Sequence, residues 1–263
     1  MSPSNRKNRR QQPAEIFTRQ VFFMDEKFDA LVLRTADYGE YDRMLTLFTL
    51  QKGKISAAAK GVRRAGAKLR FAAQPFCFAE YVLAVRGERR TVISASNTDG
   101  FYALREDVNK FYAAAALCGL CDVLLFENIV NEELFLRAVA ALKEMCDGDE
   151  LLALLRFFLR ALSLSGYALA PLVCADCGQE LAGRAYFELS EGCFTCADCA
   201  RGAGVSAGTL AVLRACGEEE GAACREEELT ADGKRRALKL LYAYFRTKTD
   251  ARVAAIEELL RLP

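Results

Sequence analysis

Two copies of one tetrapeptide, Cys174-Ala175-Asp176-Cys177 and Cys196-Ala197-Asp198-Cys199, lie eighteen residues apart in this 263-residue chain. Paired C-x-x-C units with about 15–20 residues between them are the spacing of a four-cysteine zinc ribbon. The reason is geometric: each unit turns tightly enough for two thiolates to grip one side of a tetrahedral ion, and the intervening residues fold back as a hairpin. Arg184–Leu189 reads as one strand of that hairpin and Glu191-Gly192 as its turn. Cys193 leaves an alternative open, because Cys193 with Cys196 also fits the spacing. The repeat favours Cys196 with Cys199, since the second knuckle then copies the first. The run Cys193, Cys196, Cys199 also resembles part of an iron–sulfur motif, but its Cys-Pro continuation is missing. Four matched cysteines close the coordination shell, so the expected Zn²⁺ is structural and not catalytic. Cys118 and Cys121 form a third C-x-x-C, inside an apolar helical run, and read as small packing residues.

The chain contains eleven cysteines and no histidine. An odd count in a long chain argues against a disulfide framework. The absence of histidine removes Ser-His-Asp and Cys-His nucleophile pairs and every His-ligated metal.

A second cluster is basic. Lys52, Lys54, Lys60, Arg63, Arg64, Lys68 and Arg70 fall within nineteen residues that hold no acid, with Arg34 and Arg43 close upstream. Accessible cations at this density suit phosphate contacts. Tyr38, Tyr41 and Phe71 offer candidate stacking faces for unpaired bases, with Phe71 read as core. Gly61 and Gly66 do not make a phosphate-binding P-loop, because Ala67 stands where its lysine belongs. Asp37, Glu40 and Asp42 form the one close acidic trio here and read as partners of Arg34 and Arg43.

The elements that must carry these clusters differ along the chain. Residues 1–27 read as a basic extension. Over 28–100, Phe28–Ala36, Met44–Leu50, Lys54–Val62, Phe76–Val85 and Thr91–Ser96 read as five short strands. Five strands in about 70 residues suit an OB-fold barrel. Over 101–263 the period becomes helical, with Phe111–Phe126, Glu132–Met145, Glu150–Ser165, Ser206–Cys216, Leu238–Phe245 and Val253–Leu260 as helices. A zinc-binding insertion occupies about 173–201. The predicted class is therefore α+β: an N-terminal OB-fold β-barrel followed by an α-helical domain with an inserted four-cysteine ribbon. Net charge is +1, but 28–100 carries twelve basic against seven acidic residues and 101–263 eighteen against twenty-five. The barrel is thus the face expected for a polyanion. No apolar run reaches the ~20 residues of a membrane span and no secretory h-region is present, so no membrane role and a cytoplasmic place are expected.

In this order, several motifs resemble the bacterial RecO family. They are ALVLRTADYGEYDRMLTLFT from Ala30 to Thr49, Lys52-Gly53-Lys54, AKGVRR from Ala59 to Arg64, Gln74-Pro75-Phe76 and LRED from Leu104 to Asp107. Gly166-Tyr167, Cys174-x-x-Cys177-Gly178, Tyr186-Phe187 and the second knuckle continue the match, which covers about 28–263. The resemblance implies a non-enzymatic, nucleoid-associated DNA repair and recombination mediator. It implies binding of single- and double-stranded DNA, annealing of complementary strands and, with RecR, help for RecA filament assembly on DNA coated by single-stranded-DNA-binding protein. It also implies binding of that protein's acidic C-terminal tail, for which Lys234, Arg235, Lys239 and Arg246 are the candidate residues. The rival reading is a zinc-stapled nucleic-acid enzyme such as a metal-dependent nuclease. The family's cysteine ligands vary, and residues 1–27 and Cys193 fall outside the resemblance.

Overall fold

The computed structural model describes residues 24–217 and 229–263. Most of the basic extension, Cys224 and the acidic runs Glu218–Glu220 and Glu226–Glu228 lie outside the described residues. Five strands form a closed barrel in the order β1-β2-β3-β5-β4. They are β1 (Met24–Tyr38), β2 (Asp42–Thr49), β3 (Gly53–Ala59), β4 (Phe78–Arg86) and β5 (Arg89–Asp99). Closure comes from the antiparallel β1–β4 ladder and from a parallel contact, Ala58 opposite Thr91. β1 begins four residues before the expected Phe28, because Met24 to Lys27 pair with Val85 to Val82. β3 stops at Ala59 instead of Val62, because Gly61 takes φ +66° and turns the chain away.

Strand alternation explains the unbroken apolar run at the start of the barrel. Successive side chains point to opposite faces. Phe28, Ala30 and Val32 fill the barrel interior, whereas Leu31 and Leu33 join the core of the helical body. Phe48 does the same on β2, its ring 5.2 Å from that of Phe135. The barrel therefore shares one of its outer faces with the helices.

Those helices are α1 (Val108–Leu124), α2 (Glu132–Asp147), α3 (Glu150–Leu164), α4 (Ala207–Gly217), α5 (Ala231–Thr249) and α6 (Ala254–Arg261). Asp107, Asn131, Asp149 and Thr230 cap four of them, each accepting from a backbone N–H in the first turn. The Thr230 cap starts α5 seven residues before the expected Leu238. Between α3 and α4 a three-stranded sheet, β7-β6-β8, is formed by β6 (Ala185–Glu188), β7 (Cys193–Thr195) and β8 (Ala203–Val205). β6 falls within the expected hairpin strand, while β8 carries no alternating pattern in the sequence.

The seam between barrel and helices is tight at Gly53. Its φ is +70°, and a Cβ there would overlap the carbonyl oxygen of Ile129 in the α1–α2 loop. Gly87 has a similar φ, +60°, but open space around it. Gly53→Ala is therefore expected to destabilise the protein by more than about 2 kcal/mol, against about 1 kcal/mol for Gly87→Ala. Denaturant unfolding of both variants checks this; equal losses would refute the close approach.

Candidate metal centre and nucleic-acid interface

The sulfurs of Cys174, Cys177, Cys196 and Cys199 all lie within 4.8 Å of one another. Cys177 Sγ and Cys196 Sγ are 3.8 Å apart, which is about the S···S distance of a tetrahedron with ~2.3 Å Zn–S bonds. The first knuckle closes through Gly178, whose φ of +74° lets its N–H donate to the Cys174 carbonyl at 2.8 Å. The Ala175 N–H donates to the Phe194 carbonyl and fastens this knuckle to β7. Arg201 bridges the two halves, with its guanidinium 3.0 Å from Asp176 and 3.3 Å from Glu191. Cys193 stands apart from the four, its Sγ 3.4 Å from a Glu191 oxygen at the hairpin turn.

The thiols are polarised for metal binding. Backbone N–H groups of Cys196 and Cys177 lower the Cys174 thiol to about 6. Hydrogen bonding to Cys196 and Cys177 pushes Cys199 up to about 12. Within the group, deprotonation is therefore easiest at Cys174 and hardest at Cys199. By contrast, full burial pushes Cys118 up to about 12 and leaves its helical pair inert.

The basic cluster divides into two sets. Lys54 is mostly buried and donates to the carbonyl and carboxylate of Asp122 at the end of α1, at 2.5 and 3.3 Å. Arg34 reaches the same carboxylate at 3.6 Å. Lys52 pairs with Glu26, and Arg43 with Asp37 and the Ala73 carbonyl. These four cations hold the barrel to itself or to α1, a role that their spacing in the sequence does not reveal.

The second set stands on the β3–β4 loop. Lys60, Arg63, Arg64, Lys68 and Arg70 are exposed there. Lys60, Arg64, Lys68 and the backbone from Gly61 to Leu69 line a concavity of about 390 Å³. The loop is anchored, since Gly61 N–H donates to Asp42 and Arg63 N–H to the Tyr41 carbonyl. Arg63 also pairs with Asp37. Arg64 lies over the Tyr41 ring at 4.8 Å. Lys60, Lys68 and Arg70 have no ion pair among the described residues. Tyr38 and Tyr41 are exposed beside the loop, and Phe71, expected as core, is 37% exposed. Asp37 and Asp42 are taken up in fixing this loop.

The candidate partner residues are separated by the helical period. A cleft of about 790 Å³ lies between the ribbon sheet and α5, which lines it with Arg236, Lys239, Leu240 and Ala243. Those four share one face, at spacings of three and four. Lys239 alone of the four candidates lies in the cleft. Lys234 points the other way, buried against Asp149 at 2.5 Å. Arg235 is held by the carbonyl oxygens of Leu262 and Pro263. Arg246 is exposed in the last turn of α5 and does not line the cleft. Arg184, on the ribbon side, completes the basic rim.

A closed OB-type barrel with a basic loop is joined here to a helical body that carries a four-cysteine knuckle. Residues 24–100 match the family model described as Recombination protein O N terminal, and residues 105–254 that described as Recombination protein O C terminal. A "DNA repair protein RecO" of Anaeromyxobacter sp. is 34% identical over 237 residues, covering 87% of this chain and 93% of that one. One of Desulfitobacterium hafniense is 36% identical over 194 residues, 71% of each chain. One of Pelotomaculum thermopropionicum is 34% identical over 193 residues, 72% of this chain and 75% of that one. The chain belongs to the recombination protein O family of DNA repair proteins.

Two measurements test the site. Zinc affinity, read by competition with a chromogenic chelator, is expected to fall as pH drops from 8 to 6, by roughly tenfold per displaced proton per pH unit. A flat profile would mean that metal binding displaces no thiol proton. Lys234→Ala is expected to cost about 2 kcal/mol in denaturant unfolding, less than the ~3–5 of a fully buried pair because Asp149 remains 38% exposed. No loss would mean that the ion pair is not a structural contact.

Proposed function

We propose that this chain is a non-enzymatic recombination mediator that binds single- and double-stranded DNA through the loop between β3 and β4. The observation that carries this is the concavity lined by Lys60, Arg64 and Lys68, with Tyr41 beneath Arg64 and Tyr38 exposed nearby. Cations here meet phosphates without first breaking an ion pair, and exposed rings accept unpaired bases. Arg70 extends the same surface, whereas Arg63 is committed to Asp37. Arg34, Arg43, Lys52 and Lys54 leave the proposed contact set, because each already holds a carboxylate.

By family, the activity is annealing of complementary strands and, with RecR, assistance to RecA assembly on DNA coated by single-stranded-DNA-binding protein. The acidic tail of that protein would enter the cleft rimmed by Arg184, Arg236 and Lys239, where an apolar floor receives its hydrophobic end. The four-cysteine group would hold structural Zn²⁺, and the protein would work in the cytoplasm at the nucleoid. No helix of the described residues is long and apolar enough to cross a membrane. A nuclease reading gains no support from the acidic trio, since Asp37 and Asp42 serve the loop.

Fluorescence anisotropy with a labelled single strand over a salt series, with and without Mg²⁺, tests the proposal. Binding is expected to steepen with falling salt and to leave the strand intact. The triple variant Lys60→Glu, Arg64→Glu, Lys68→Glu should lose more than about tenfold in affinity and about two to three units of salt slope, with little dependence on sequence. Strand cleavage would overturn the mediator reading. Unchanged affinity in the triple variant would move the DNA site off this loop.

A further inference from the structure

The ribbon sheet ends in an open edge. β8 pairs with β6 on one side, and among the described residues no strand lies on the other. Its residues Ala203 and Gly204 are exposed. Unpaired backbone N–H and C=O groups along such an edge are a template for an added strand. The edge is not on a bare surface: Ala203, Gly204 and Val205 line the cleft described above. Phe187, Leu189, Leu240 and Ala243 give that cleft an apolar floor, and its charged lining residues are all basic.

We propose that an acidic partner peptide binds this cleft in extended form, as an additional strand beside β8. The inference rests on the partner reading above and goes beyond it, by naming the conformation of the bound peptide and the part the metal knuckle plays. An extended peptide places alternate side chains on opposite sides. The set facing α5 meets the apolar floor, with Arg236 and Lys239 at its rim, and the other set meets Arg184 on the ribbon side, while the backbone satisfies the edge. A helical peptide would match the charges but leave the β8 edge unpaired.

The metal knuckle sets where that edge lies. Cys196 directly follows β7, and Cys199 precedes Ala203 by four residues. Gly202 between them has φ +86°, and a Cβ there would overlap the Phe187 carbonyl oxygen, so the chain has little slack as it enters β8. Phe187 in turn packs against Tyr244 of α5, with ring centroids 5.8 Å apart. The cleft wall is therefore held between the cysteine cluster and α5. Loss of the metal should loosen β8 and weaken the peptide, while the barrel loop that faces DNA is on another domain.

The test uses the full chain with bound zinc and two labelled acidic peptides of identical composition. In one, apolar residues alternate with aspartates; in the other, they are spaced three and four apart. Anisotropy should show the alternating peptide binding at least about tenfold more tightly. N-methylation of every second peptide bond should abolish that advantage in one phase of the alternation and spare it in the other. Chelation of zinc should weaken peptide binding at least about fivefold with single-strand affinity unchanged. Preference for the helical spacing, with Lys239→Glu still abolishing binding, would overturn strand addition and leave the partner cleft standing. Absence of binding by both peptides and by the single-stranded-DNA-binding protein tail would overturn the partner reading itself. Equal loss of DNA and peptide binding on chelation would refute the local role given to the metal.

Discussion

The arrangement of this protein depends on one cation at a helix end. The Lys54 ammonium meets the Asp122 carbonyl and carboxylate where α1 runs out of intrahelical partners. A helix C-terminus carries unsatisfied carbonyls and partial negative charge, so a cation there is favoured twice. Arg34 shares the carboxylate, and the Asn128 N–H donates to the Lys54 carbonyl at 2.9 Å. Barrel and helical body are thus joined by charge and backbone hydrogen bonds around the apolar contact of Leu31, Leu33 and Phe48 with the helices. A barrel held in this way still presents Lys60, Arg64, Lys68 and Arg70 on the β3–β4 loop.

That division gives the basic residues two roles that composition does not separate. Cations near the seam neutralise Asp122 and Glu26, and those interactions fix geometry. Cations on the β3–β4 loop have little acid within reach, so they create an outward field. The loop keeps its shape because Asp42, Tyr41 and Asp37 hold it from below. A loop already held in shape loses less conformational entropy when anything binds it.

The cysteine cluster plays a comparable part at the other end of the molecule. The ribbon strands are only three or four residues long, so the sheet gains from packing against a helix. The four sulfurs, the buried Phe187–Phe194 pair and the Tyr244 contact hold it against α5. The knuckle therefore shapes a cleft as well as closing a loop.

Much of this was legible in the chain. The clustering of four cysteines follows from a repeated tetrapeptide, because local spacing limits which thiols can meet. The five strands and the change to helical period follow from alternation, since burial on one or both faces dictates the pattern. The strand and helix bounds shifted by a few residues where pairing or capping extended an element, as at Met24 and Thr230. Only the tertiary structure decided which cations are free, because Asp122 lies sixty-eight residues from Lys54 and Asp149 eighty-five from Lys234. It alone also brought Arg184 to the face of α5 that carries Arg236 and Lys239. Sequence fixes what a side chain is able to do, but a charge becomes available or committed through neighbours that are distant along the chain.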